Sequence, residues 1–150
     1  MKKLILIFAL LFFSNCGFTP IYKDKFEPNH KITIQKMTGN NSVNSLIKNK
    51  LKRYSSNDEV NIYKINVNTT YSRSVLSKDK TGRATNIRLS VKLNFNVKYL
   101  NREENFSFEE SLDIENSTDL YDQNNYENAI KNNFVDSIID KLILKLDVMK

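Results

Sequence analysis

From Ile87 to Tyr99 the chain alternates without error, with Ile87, Leu89, Val91, Leu93, Phe95, Val97 and Tyr99 apolar and Arg88, Ser90, Lys92, Asn94, Asn96 and Lys98 polar between them. Successive side chains of a strand point to opposite faces, so this run predicts a long strand with one buried face and one wet face. Val60 to Leu76 has the same period, with Val60 and Ile62 in one phase and Tyr63, Ile65, Val67, Thr69 and Tyr71 in the other. The slip near Ile62 predicts a bulge or a bend. After a turn at Asn101 to Glu104, Phe106, Phe108, Leu112 and Ile114 predict a further antiparallel strand of a meander. A shorter strand is expected from Lys31 to Met37, where Ile32 and Ile34 alternate with Thr33 and Gln35, and it ends at Gly39-Asn40.

Two stretches change to a helical period. Val43, Leu46, Ile47, Leu51 and Tyr54 predict an amphipathic helix over about 42–54, with Asn41 or Ser42 as its cap. Tyr126, Ala129, Ile130, Phe134, Ile138, Leu142 and Leu146 form one stripe of a longer helix, about 124–148, which Val135, Ile139 and Ile143 widen. So broad a stripe fits either a helix packed deeply in a small core or one whose flank meets another protein. The order β-α-β-β-β-α with one apolar sheet face predicts an α+β two-layer sandwich, a four-stranded, largely antiparallel sheet with two helices packed on one face.

Ahead of these elements, Lys2 and Lys3 precede an unbroken apolar run from Leu4 to Phe13, followed by Ser14 and Asn15. This is the profile of a signal peptide. A transmembrane helix needs about 20 apolar residues, far more than this run supplies. Phe13-Ser14-Asn15-Cys16 resembles the lipobox of bacterial lipoproteins, in which the cysteine thiol receives lipid and becomes the first residue. Phe13 and Asn15 depart from the usual aliphatic and small residues of that motif. Cys16 is the chain's one cysteine, so an internal disulfide is impossible, and lipidation accounts for a lone thiol in an exported protein. Gly17 follows it where an aspartate commonly retains lipoproteins at the inner membrane, which places the protein at the outer membrane, lipid-anchored and facing the periplasm. The expected organisation is a leader over 1–15, a lipidated arm over 16–30 containing Pro20 and Pro28, and one α+β domain over 31–150.

Losing Lys2 and Lys3 with the leader takes the net charge from +6 to +4, which is mildly basic and makes no case for nucleic acid. The single histidine, His30, stands in the arm without a spaced partner, so metal and triad chemistry lack ligands. Gly17, Gly39 and Gly82 are too scattered to cradle a phosphate. Glu103, Glu104, Glu109 and Glu110 could serve acid/base chemistry, but a turn and a strand face make solvated carboxylates the plainer reading. No cofactor and no catalytic residue is expected. One cluster stands out: Lys78, Lys80 and Arg83 crowd the tip between the two long strands, with Arg73 and Arg88 on the strand ends and Asp79 opposing them. It reads either as a phosphate-binding tip or as a solvated hairpin.

Cys16-Gly17-Phe18-Thr19-Pro20-Ile21-Tyr22 resembles the opening of the mature lipopolysaccharide-assembly lipoproteins, the LptE family. Thr81-Gly82-Arg83-Ala84-Thr85, the long strand ending Tyr99-Leu100 and the Tyr126–Leu146 helix are similar to that family's central hairpin and closing helix. The resemblance implies a non-catalytic outer-membrane lipoprotein that partners and plugs a lipopolysaccharide-translocating β-barrel of the LptD kind, helping it assemble and deliver lipopolysaccharide to the cell surface. It also favours lipopolysaccharide as the ligand of Arg73, Lys78, Lys80, Arg83 and Arg88. The same tether would equally carry a stand-alone envelope lipoprotein, binding or structural, without a barrel partner.

Overall fold

The computed structural model describes residues 31–55 and 61–149; Cys16, the leader, the arm and Val60 lie outside them. The described chain runs β1 (Lys31–Gly39), α1 (Asn41–Leu51) with a 3-10 turn over Lys52–Tyr54, β2 (Ile62–Lys78), β3 (Ala84–Tyr99), β4 (Arg102–Glu115) and α2 (Leu120–Val148). The strands lie in the order β1-β2-β3-β4. β1 is parallel to β2, joined to it through α1, and the other two pairings are antiparallel. Both helices cover one sheet face, which is the expected α+β sandwich.

The alternation of β3 decides which face that is. Ile87, Leu89, Val91, Leu93, Phe95 and Val97 are all buried, and the cross-strand register sets Ile65 against Val97, Val67 against Phe95 and Tyr71 against Val91. Val43, Ile47 and Leu51 of α1 and Val135, Ile138, Ile139, Leu142, Ile143 and Leu146 of α2 close the core from the other side. The α2 stripe is therefore packed, except that Tyr126 and Ala129, expected within it, are exposed. Tyr63 ties the two layers together. Its ring stacks on Tyr99 with centroids 4.5 Å apart and its hydroxyl donates to the Leu146 carbonyl at 3.0 Å. Burial pushes that phenol up to about 12.

Several boundaries move for identifiable reasons. The cap of α1 is Asn40, whose side chain accepts from the Val43 N–H at 3.0 Å, one residue ahead of the expected Asn41 or Ser42. A bend at Asn61 leads into β2, in keeping with the irregularity expected near Ile62, and there is no bulge from Ile62 onward in the pairing with β1 or from Tyr63 in the pairing with β3 until Val75. Further irregularities of pairing fall between Ile34 and Lys36 in β1 and between Val75 and Lys78 in β2. The β3–β4 turn is only Leu100-Asn101, with Leu100 at φ +50°, and β4 already starts at Arg102. Arg102, Glu103 and Glu104 read as turn because they are charged, which an edge strand tolerates. α2 starts at Leu120, capped by Asp119, whose carboxylate accepts from the Tyr121 and Asp122 N–H groups at 2.8 and 3.1 Å. Its first turn exposes Leu120 and Tyr121, so the apolar stripe begins later than the helix.

Candidate functional site

The β2–β3 tip is shaped by Asp79. Its carboxylate accepts from the Thr81 hydroxyl at 2.6 Å and from the backbone N–H groups of Thr81 and Arg83 at 2.8 and 3.0 Å. The Gly82 N–H bonds the Asp79 carbonyl at 3.0 Å, and Gly82 takes φ +85°, a conformation L side chains rarely adopt. The Thr81 hydroxyl and these backbone N–H groups hold the Asp79 carboxyl below its ordinary range. The one acid of the tip is thus turned into its own loop. Lys78, Lys80 and Arg83 are exposed around it, and among the described residues none of them forms an ion pair.

Arg73 and Arg88 do not join them. Arg73 lies in the helix-facing phase of β2, opposite Leu89, where its Nε donates to Glu127 Oε1 at 3.1 Å and its Nη2 to Asn116 Oδ1 at 2.7 Å. Arg88 points to the open face and holds both Asp113 carboxylate oxygens, at 2.6 and 2.8 Å. Both cations already have carboxylate partners, on opposite sides of the sheet. Three of the five basic residues remain together at the tip.

Arg73 anchors the base of the tip to α2. Burial alone would raise the Glu127 carboxyl, but hydrogen bonds from Gln123 and Arg73 outweigh it and hold the group below its ordinary range. A carboxylate depressed in the folded state stabilises above its unfolded pKa of about 4.3, and that contribution is lost as the pH falls through the folded value. Glu127→Gln should therefore lose less stability than the wild type between neutral and acid urea melts. Equal losses would show that the Arg73–Glu127 link does not titrate with folding.

No motif marks a second polar region, on the sheet face opposite the helices. Its residues are the outward positions of the strands, including Lys36, Asn66, Asn94, Asn96 and Asn105, and only the register reveals that they adjoin.

The fold is one found among bacterial lipoproteins of known structure. Rare lipoprotein B from Shewanella oneidensis superimposes with a TM-score of 0.54 at 16% identity, covering 81% of this chain and 100% of that one. A minor lipoprotein from Acinetobacter baumannii gives 0.58 at 12% identity, covering 79% and 90%. No curated protein sequence matches the chain significantly. The profile of the LptE family, described as lipopolysaccharide-assembly, matches residues 29–146. The chain belongs to that family.

Proposed function

We propose that the mature protein is a non-catalytic outer-membrane lipoprotein, held by lipid on Cys16 and facing the periplasm. It partners and plugs a lipopolysaccharide-translocating β-barrel, and it assists the assembly of that barrel and the delivery of lipopolysaccharide to the surface. The observation that carries this reading is the family match, which extends from the start of β1 almost to the end of α2. The exposed cations at the tip support it. A phosphorylated lipid head suits such a cluster, since arginine can grip two phosphate oxygens while lysine adds a compact charge. Affinity purification from outer membranes tests the partnership. A plug brings down one large β-barrel in stoichiometric amount; recovery of the lipoprotein alone would reject the plug and favour a stand-alone envelope role.

Two expectations accompany this proposal. Cys16→Ala should abolish acyl labelling and leave the domain folded, because the cysteine precedes every described element. Labelling that persists would remove Cys16 as the lipid site. Replacing Lys78, Lys80 and Arg83 together by Ser should weaken binding to purified lipopolysaccharide and flatten its salt dependence, whereas Arg88→Ser should change little. Exposed charges contribute less than about 1 kcal/mol each, so the triple variant is needed for a readable loss. Unchanged affinity and salt dependence would reject the tip as the binding site.

A further inference from the structure

β1 lies at an edge of the sheet, with β2 as its one neighbouring strand. α1 returns alongside it, and Ser55, just beyond the helix, accepts from the Ile32 N–H at 3.1 Å. Between strand and helix lies an open groove of about 450 Å³. Ile32, Ile34 and Leu51 give it an apolar floor, and Lys48 and Lys52 stand on its rim. Four residues apart, these two lysines are neighbours on the helix surface. Both are exposed, and among the described residues neither forms an ion pair. No acid offsets them locally, since the chain from Lys31 to Tyr54 carries six cations and not one Asp or Glu. Asp136 of α2 is committed to Lys50 and Arg53. The groove therefore suits a group that is apolar over most of its contact and carries a carboxylate at one point.

The arm that leads into β1 has that composition. Phe18, Tyr22, Asp24 and Phe26 fall in one phase of a two-residue period, and Ile21, Lys23, Lys25 and Glu27 in the other. An extended segment with this pattern presents three aromatic rings and a single carboxylate on one side and both its lysines on the opposite side. Pro28-Asn29, just ahead of β1, are turn residues: proline presets the second position of a β-turn and asparagine tolerates the third. A second copy of the protein fits the groove poorly, because two such grooves face to face would bring like charges together.

We propose that the arm folds back and docks in this groove, with Phe26 on the apolar floor and Asp24 between Lys48 and Lys52. A reversal through Pro28, Asn29 and His30 sets Glu27 beside Lys31, and therefore Phe26 beside Ile32 and Asp24 beside Ile34. The aromatic and acidic phase then shares the helix-facing side of Ile32 and Ile34, both of which pack against the core. Docking removes residues 24–30 from the tether and leaves residues 17–23, which span at most about 25 Å, against about 50 Å for the whole arm fully extended. On the reading that Cys16 carries the lipid, the domain is thereby presented to the membrane by its β1 edge instead of turning freely on a long leash. The docking itself requires neither the lipid nor the barrel.

Hydrogen exchange of the lipidated mature protein in detergent, read by mass spectrometry over residues 21–27, tests the docking. The amides there should exchange about tenfold more slowly in the wild type than in Phe26→Ser, which takes one aromatic ring out of the groove. Lys48→Glu together with Lys52→Glu should remove the protection, and adding Asp24→Lys to that pair should restore most of it. The two lysine changes leave the fold intact, since both side chains are exposed and unpaired among the described residues, and a thermal melt of the variant checks this. Protection should be independent of protein concentration. It should also be the same in Cys16→Ala, so that failure of the lipid reading and failure of the docking are told apart. Three results would overturn the proposal. Exchange of the wild-type arm at the random-coil rate would leave the groove to a separate acidic partner. Protection that survives the lysine reversals, or that vanishes with the lipid, would assign the cover to the micelle. Protection that grows with protein concentration would assign it to the arm of a second copy.

Discussion

Val91→Asp is expected to unfold the domain, whereas Ser90→Asp, one residue earlier, is expected to leave it folded. Val91 is fully buried and sits opposite Tyr71 in the middle of the sheet, under the helix layer. A carboxylate there would gain no free cation, since its cross-strand neighbours are Tyr71 and Glu110, and Glu110, itself a like charge, already holds Ser137 and Lys141 of α2. An unpaired buried charge costs about 3–5 kcal/mol, a large share of the 5–15 kcal/mol that stabilises a typical domain. Ser90 faces the other way. Its loss removes one hydroxyl contact to Ser72, and the new carboxylate lies on the polar face between Arg88 and Lys92, where water and two cations accommodate it. Circular dichroism and urea melts of the two variants separate these outcomes. Comparable destabilisation by both would contradict a sheet with one buried face.

Gly39→Ala is expected to be far more damaging than Gly82→Ala, although both glycines have positive φ, +98° and +85°. Both variants incur the backbone cost of a left-handed conformation, about 1–2 kcal/mol. At Gly82 nothing lies within 4 Å of an added methyl, so that cost is the whole effect. At Gly39 the added carbon would fall 1.8 Å from the Thr69 carbonyl oxygen. This is the corner where β1 turns into α1, and Thr69 fastens it: its hydroxyl accepts from the Asn40 N–H at 2.9 Å and donates to Asn44 at 2.9 Å. To relieve the clash, β1 and α1 would have to move away from β2, breaking these bonds and opening the core at Val43 and Ile47. Thermal melts should show a much larger drop in Tm for the Gly39 variant. Similar drops would mean that the corner yields freely.

What the sequence revealed, and what it hid, follows from the range of the interactions involved. The β3 alternation is a local property, so its core face could be read directly. Met37 joins Ile32 and Ile34 on the helix side only because the β1 irregularity between Ile34 and Lys36 adds a residue, and that is set by pairing with β2. The tip cations could be grouped from the sequence because one short turn holds them together. The fates of Arg73 and Arg88 could not, since Glu127 and Asp113 lie 54 and 25 residues away and strand phase places the two arginines on opposite faces. Thr69 reads as one more position of an alternating strand, and nothing local shows that it clamps a helix corner 29 residues upstream. The asparagine rows of the open face are likewise invisible until three strands are in register.

Depletion of the protein in living cells, with lipopolysaccharide quantified on the outer surface, tests the assembly role most directly. Surface lipopolysaccharide should fall as the protein is lost while the full-length molecule accumulates inside the outer membrane, and the wild-type chain should restore display. Undiminished surface lipopolysaccharide after complete depletion would contradict the role.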